Sequence, residues 1–99
     1  MTDIQKQACR IIYETYEHQQ QIDKTIEEVA ELQLVLIRLK DCETLEAQNE
    51  YITQLIDEIA DVTIMLEQMK IAYVIDKKFL DKKIQEKLNR QYDRIGRME

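Results

Sequence analysis

The sequence has no proline, no tryptophan and a single glycine, Gly96, close to the C-terminus. Proline and glycine are the residues that tight turns between strands usually need, so their scarcity argues against a β-rich fold. Most of the abundant residues, among them Glu, Gln, Lys and Leu, favour helices instead. A length of 99 residues suits one domain. We therefore predict a single all-α domain over residues 1–99.

Long apolar segments are also missing. No apolar run reaches the roughly 18 residues that a membrane span needs. The N-terminus, MTDIQKQ, lacks the basic and apolar regions of a signal peptide. The two cysteines, Cys9 and Cys42, are far apart and form no CxxC motif, which fits reduced thiols. We therefore expect a cytoplasmic protein without a membrane partner.

The pattern of apolar residues predicts four helices. Thr2 and Gln5 have the spacing of a capping box, and an apolar stripe that starts at Ile4 follows. The polar stretch 17–20 is the expected break after this first helix. The three further helices are expected over about Gln20–Lys40, Thr44–Tyr73 and Asp76–Ile95.

Two of these helices contain stretches that are apolar on nearly every face. They are Leu34–Leu39 in helix 2 and Val62–Leu66 in helix 3. A helix that is apolar all round must be buried on all sides. Two neighbouring helices of a 99-residue monomer can hardly both be buried in this way. We therefore expect a homodimer or homotetramer that completes a four-helix bundle.

Helices 2 and 3 each carry a pair of acids three residues apart. The pairs are Glu28 with Glu31, and Glu58 with Asp61. Residues at this spacing share one face of a helix. If the helices form an antiparallel hairpin, Glu28 lies opposite Asp61 and Glu31 opposite Glu58, because both cross-pairs are centred between residues 44 and 45. The expected turn, residues 41–45, lies at that centre, so one hairpin brings all four carboxylates together.

Apolar residues flank these acids, so four converging carboxylates would repel one another unless protonated or bound to a cation. Oxygen ligands favour a hard cation, Mg²⁺ or Mn²⁺. A di-iron site would need Glu-x-x-His pairs, and the single histidine, His18, lies outside both patterns. The alternative interpretation of the acids is an ordinary solvated helix face.

Cationic residues follow two further helical stripes. Residues 1–69 carry 15 acids and 5 bases, hence −10, whereas residues 70–99 carry 5 acids and 9 bases, hence +4. The total of −6 argues against binding to nucleic acid. Gln21 and Lys24 extend the stripe of Glu28 and Glu31 on helix 2. On helix 4, three cations at spacings of three and four residues suit either the binding of phosphate oxygens or a solvated basic face: Lys87, Arg90 and Arg94.

The sequence EExxE, followed on the next helix by ExxD, resembles the signature of the MazG-like all-α nucleoside triphosphate pyrophosphohydrolases. Dimeric dUTP pyrophosphatases and phosphoribosyl-ATP pyrophosphatases belong to the same superfamily. The likeness extends over 21–94, and QIDKTIEEVAEL and KLNRQYDRI resemble small phage-type members. Members often have glycine after the tyrosine, where this chain has Glu17. The resemblance implies Mg²⁺ ligands at Glu28, Glu31, Glu58 and Asp61, and substrate contacts at Gln21, Lys24, Lys87, Arg90 and Arg94.

The expected function is therefore Mg²⁺-dependent hydrolysis of a nucleoside or deoxynucleoside triphosphate. The products are the monophosphate and pyrophosphate, and removal of unwanted nucleotides is a role that fits. Glu27 lies about 100° around the helix from Glu28, so we expect it to orient a ligand or the water and not to bind the metal itself. Two alternatives remain, a non-catalytic helical interaction protein and a nucleotide-binding protein without turnover.

Overall fold

The computed structural model describes residues 1–98, of which nearly all are helical and none forms a strand. This confirms the all-α prediction, and the bounds lie close to the predicted ones. The helices are α1 (Asp3–Thr15), α2 (His18–Asp41), α3 (Leu45–Ala72) and α4 (Lys77–Met98).

The beginning of α1 follows the predicted capping box. The Gln5 amide N–H donates to Thr2 Oγ1 at 3.1 Å, and the Thr2 amide N–H donates to Gln5 Oε1 at 2.8 Å. The break between α1 and α2 consists of Tyr16 and Glu17. Glu17 has φ −70° and ψ 144°, an extended conformation open to any residue. The chain therefore makes this turn without the glycine that is frequent in the resembling family.

Helices α2 and α3 form the predicted antiparallel hairpin and make the most extensive contact in the chain. The connection comprises residues 42–44, and Thr44 Oγ1 caps α3 by accepting a bond from the Ala47 amide at 3.1 Å. The buried apolar side chains of the hairpin include Val35 of α2 and Val62 and Met65 of α3. Packing between two amphipathic faces therefore holds the hairpin together.

A buried pair of glutamines shows the register of the hairpin directly. Gln21 Nε2 donates to Gln68 Oε1 at 2.6 Å, and both side chains are buried. This pair is centred between residues 44 and 45, as are the two predicted pairs of acids. The register inferred from the acid pattern is therefore the register of the structure.

Helix α1 packs on α3, where Cys9 is buried. His18, the first residue of α2, contacts a residue near the end of α1 and a residue at the end of α3, at the open end of the hairpin. The Tyr13 hydroxyl is 2.8 Å from His18 Nδ1, and the Tyr73 hydroxyl is 3.3 Å from Nε2. His18 thus lies at a helix end and at the surface.

The connection from α3 to α4 contains a residue in the left-handed region. Val74 has φ 50°, which is unfavourable for a β-branched residue. Its amide donates to the Ile71 carbonyl at 3.2 Å, and the Ile75 amide donates to the Lys70 carbonyl at 2.9 Å. This is the Schellman pattern at a helix C-terminus, in which glycine usually holds the position that Val74 holds here.

Helix α4 projects from the rest of the chain. Beyond Leu80, its apolar side chains remain largely exposed, among them Ile84 and Leu88. The radius of gyration is 16.9 Å, whereas a compact chain of 100 residues has about 13 Å. Within residues 1–98, no helix combines the length and the apolarity that crossing a bilayer requires.

Candidate metal centre

Three acids from the two helices of the hairpin meet at one point. Glu28 and Glu31 come from α2 and Glu58 from α3, and one carboxylate oxygen of each lies within 4.8 Å of the others. Glu28 is only 7% exposed, Glu58 is half-buried and Glu31 is exposed. The group is therefore open to solvent on one side and anchored in the hairpin on the other. Carboxylate oxygens at this separation match the ligand set of a hard divalent cation.

Two carboxylate oxygens of this group have no partner among the described residues. Glu28 Oε2 and Glu58 Oε2 are buried and accept no hydrogen bond. An unpartnered charged oxygen is costly to bury. A divalent cation held by these carboxylates would compensate their buried charge. The donor set and the unpartnered oxygens therefore fit Mg²⁺ or Mn²⁺.

The fourth predicted acid, Asp61, lies outside the group in which the oxygens meet. Its pKa is nevertheless raised, first by desolvation and then by the negative charges of Glu28 and Asp57. The pKa of Glu31 is raised as well, mainly by the charge of Glu28, then by desolvation and the charge of Glu58. Desolvation and the negative charge of neighbouring carboxylates thus disfavour the ionisation of Glu31 and Asp61.

Lys24 lies directly against this negative charge. Its Nζ is 3.0 Å from Glu28 Oε1 and 3.5 Å from Glu27 Oε1. The pKa of Lys24 is raised, first by its hydrogen bond to Glu28 and then by the charges of Glu27 and Glu28. The residue predicted as a substrate contact is therefore paired with a predicted metal ligand. Glu27 is placed as the outer partner of Lys24, outside the group of three acids.

Gln21, the other predicted substrate contact of α2, is located differently. Its side chain is buried between the two helices, and its amide is bonded to Gln68. The sequence interpretation did not single out Gln68. A signal was present, because Gln68 mirrors Gln21 about the same centre as the acid pairs. In this arrangement the two amides belong to the interior of the hairpin, and not to its open face.

The three predicted cations of α4 share one face. Lys87, Arg90 and Arg94 line a shallow depression of about 140 Å³ together with Gln91. Among the described residues, no ion pair or hydrogen bond connects α4 to the acids of the hairpin. The structure therefore brings these cations close to one another, but not close to the carboxylates of the same chain.

A larger cleft, about 520 Å³ in volume, lies between α1, the end of α3 and the start of α4. Its charged lining has both signs and includes Lys6, Arg10 and Glu67. None of the predicted metal ligands lines it. The predicted metal ligands therefore lie on the hairpin and not in this cleft.

Comparison of the chain with protein-family models, with curated proteins and with solved structures gives no match. Membership of the MazG-like family therefore stays a prediction from the acid motif and its flanking residues.

Proposed function

We propose that the protein hydrolyses a nucleoside or deoxynucleoside triphosphate to the monophosphate and pyrophosphate in the presence of Mg²⁺. The observation that carries this proposal is the convergence of Glu28, Glu31 and Glu58, with two buried oxygens that have no hydrogen-bond partner within the described part of the chain. Such an oxygen-only group favours Mg²⁺ or Mn²⁺ over softer metals. The MazG-like motif supplies the reaction and the position of the cut, between the α and β phosphates.

In this proposal, Glu28, Glu31 and Glu58 hold the cation, and Asp61 adds negative charge beside them. Bound Mg²⁺ supplies charge neutralisation and the activation of water. The carboxylates alone would repel a triphosphate, so cationic side chains are needed on the substrate side. Lys24 is already at the edge of the group, 3.0 Å from Glu28. Lys and Arg side chains that contact the departing pyrophosphate stabilise its charge.

We also propose that the working form is a homodimer or homotetramer. Apolar side chains of the two predicted stretches are about half exposed in the single chain, among them Leu36, Ile37 and Leu66. A second copy that covers this surface would explain why these positions carry apolar side chains. The apolar stripe of α4 would then pack on the hairpin of the second copy. In that position Arg90 and Arg94 would bind the phosphates of a substrate held beside this hairpin. Light scattering that gives a stable 11.9 kDa monomer at micromolar concentration would contradict this part of the proposal.

Turnover of a panel of triphosphates in Mg²⁺ tests the function. We expect Glu31→Gln, Glu58→Gln and Asp61→Asn each to lose most of the turnover and to keep the helical circular dichroism spectrum. Glu86→Gln is the matched control, because Glu86 lies on α4 and pairs with Lys83 at 3.2 Å, away from the acids. If the three variants turned over substrate at the wild-type rate, the carboxylate group would not be the active site.

A helical interaction protein is the second candidate, and the exposed apolar side chains of the hairpin favour it. A protein that binds nucleotides without cutting them is a variant of the first proposal. Release of pyrophosphate that requires Mg²⁺ separates the enzyme from both. Nucleotide binding without turnover would instead support the non-catalytic binding protein.

A further inference from the structure

We propose that Lys24 is an exchangeable counter-cation of the carboxylate group. In the absence of metal it neutralises Glu28, and a divalent cation displaces it. The released ammonium group then contacts the phosphates of the substrate. This inference rests on the proposed function, which it deepens by coupling metal binding to substrate binding through one side chain.

The two partners of this ion pair differ in their freedom to move. Glu28 is buried, with one oxygen bonded to Lys24 and the other without a partner. The side chain of Lys24, in contrast, is 48% exposed. A long flexible side chain at the surface changes its conformation easily, whereas a buried carboxylate does not. When a cation binds at Glu28, Lys24 is therefore the partner that leaves.

Electrostatics makes the two cations compete. Both use the carboxylate of Glu28, and a divalent ion there would lie close to the ammonium group of Lys24. For a unit charge and a divalent ion about 6 Å apart in water, Coulomb's law gives a roughly tenfold penalty in affinity. Lys24 therefore weakens metal binding in the absence of substrate. Among the described residues, Glu27, at 3.5 Å, is the ion-pair partner that Lys24 keeps once Glu28 is occupied.

The position of Lys24 on α2 gives the released ammonium group a second use. Lys24, Glu28 and Glu31 follow one stripe of the helix, so Lys24 lies one turn before the metal ligands on the same face. A polyphosphate bound through the metal offers several anionic oxygens at that distance. An ammonium group has three donors for them and no acceptor. Lys24 thus lowers the affinity for the metal alone and raises the affinity for polyphosphate once the metal is bound. This is a coupling between the binding of two ligands.

Calorimetry on the 99-residue chain tests this coupling, with Mn²⁺ alone as the first probe and inorganic tripolyphosphate at saturating Mn²⁺ as the second. We expect Lys24→Met to bind Mn²⁺ about tenfold more tightly than the wild type and tripolyphosphate about tenfold more weakly. Lys24→Arg keeps the charge and should remain close to the wild type in both titrations. Lys77→Met is the matched control, because Lys77 forms an i,i+4 pair of the same kind with Asp81, at 2.8 Å, on α4. It should change neither affinity.

Thermal unfolding provides a readout independent of ligand affinity and shows whether Lys24→Met is folded. In excess chelator this variant should unfold at a lower temperature than the wild type, because the acids lose their counter-cation, and Mn²⁺ should restore its stability. If the wild type binds Mn²⁺ but Lys24→Met binds it equally or more weakly, the counter-cation role is wrong and the metal site stands. If neither protein binds Mn²⁺, the metal site and the counter-cation role are both wrong.

Discussion

Replacement of Glu28 by Gln should stabilise the metal-free protein and destabilise the protein in Mg²⁺ relative to the wild type. The substitution keeps the shape of the buried side chain and removes its charge. The oxygens of Glu28 and Glu58 approach within 4.8 Å, and at that distance two negative charges repel by about 1 kcal/mol even in water, and by more in a less polar environment. Loss of the i,i+4 pair between Glu28 and Lys24, in which the lysine side chain is 48% exposed, costs about 0.5 kcal/mol.

Glu28 repels Glu31 as well as Glu58, because one oxygen of each acid lies within 4.8 Å of the others. Relief of both repulsions, less the lost ion pair, should stabilise the variant by about 1 kcal/mol or more without metal. This corresponds to a melting temperature roughly 4–8 °C higher per kcal/mol for a domain of this size. In the presence of Mg²⁺, the wild type should instead be more stable than Glu28→Gln. At a Mg²⁺ concentration 100 times its dissociation constant, the wild type gains about 2.7 kcal/mol from binding. Glu28→Gln lacks a charged ligand and should gain much less.

Thermal unfolding by circular dichroism, in excess chelator and in saturating Mg²⁺, measures both effects at one fixed protein concentration. Glu86→Gln serves as the control, since it removes a partly exposed acid of α4 that is paired with a lysine at 3.2 Å. A Glu28→Gln variant that is less stable than the wild type by the same amount in both conditions would refute the reasoning. Glu28 would then be a structural residue and not a ligand.

Three further predictions concern other parts of the chain. In chelator, the melting temperature of Glu31→Gln should rise relative to that of the wild type as the pH increases above the ordinary pKa values of 4.5 for Glu31 and 3.8 for Asp61. Acids whose pKa is raised in the folded state favour folding only while they are protonated, so the wild type loses stability as they ionise. A difference in melting temperature that does not depend on pH would contradict this. Val74→Gly should stabilise the protein by about 1 kcal/mol in chemical denaturation, since glycine adopts φ 50° without strain; an unchanged midpoint would show that the strain is absent. Arg90→Ala should lower kcat/KM with little change in melting temperature, whereas an effect on stability alone would make α4 a structural element.

Much of the fold could be predicted because several independent features of the sequence indicate the same arrangement of helices. The capping box at Thr2 and Gln5 marks the first helix, and the scarcity of proline and glycine leaves helices as the main regular structure. The acid pairs mirror one another about the turn, so their spacing gives the hairpin register. Gln21 and Gln68 follow the same symmetry, and their hydrogen bond confirms that register.

The finer geometry of the site could not be predicted in this way. Spacing on a helix places Gln21 and Lys24 on one stripe, but the rotation of α2 against α3 decides which of them is buried. That rotation buries Gln21 and leaves Lys24 at the edge. The same geometry brings Glu58 into the acid group and leaves Asp61 beside it.

The position of α4 was equally inaccessible from periodicity. A stripe such as Ile84 and Leu88 shows that a helix has an apolar face, but not which surface covers it. The turn between α3 and α4 could not be predicted either, because the chain has Val74 where a Schellman turn usually has glycine. The separation of the α4 cations from the acids within one chain became visible only in the structure.

Product analysis of a triphosphate incubated with the protein and Mg²⁺ tests the central claim most directly. Phosphorus NMR distinguishes cleavage between the α and β phosphates from cleavage between β and γ. We expect equal amounts of nucleoside monophosphate and pyrophosphate, and no reaction in excess chelator or with Glu58→Gln. Orthophosphate together with a nucleoside diphosphate, or full activity in chelator, would contradict the account.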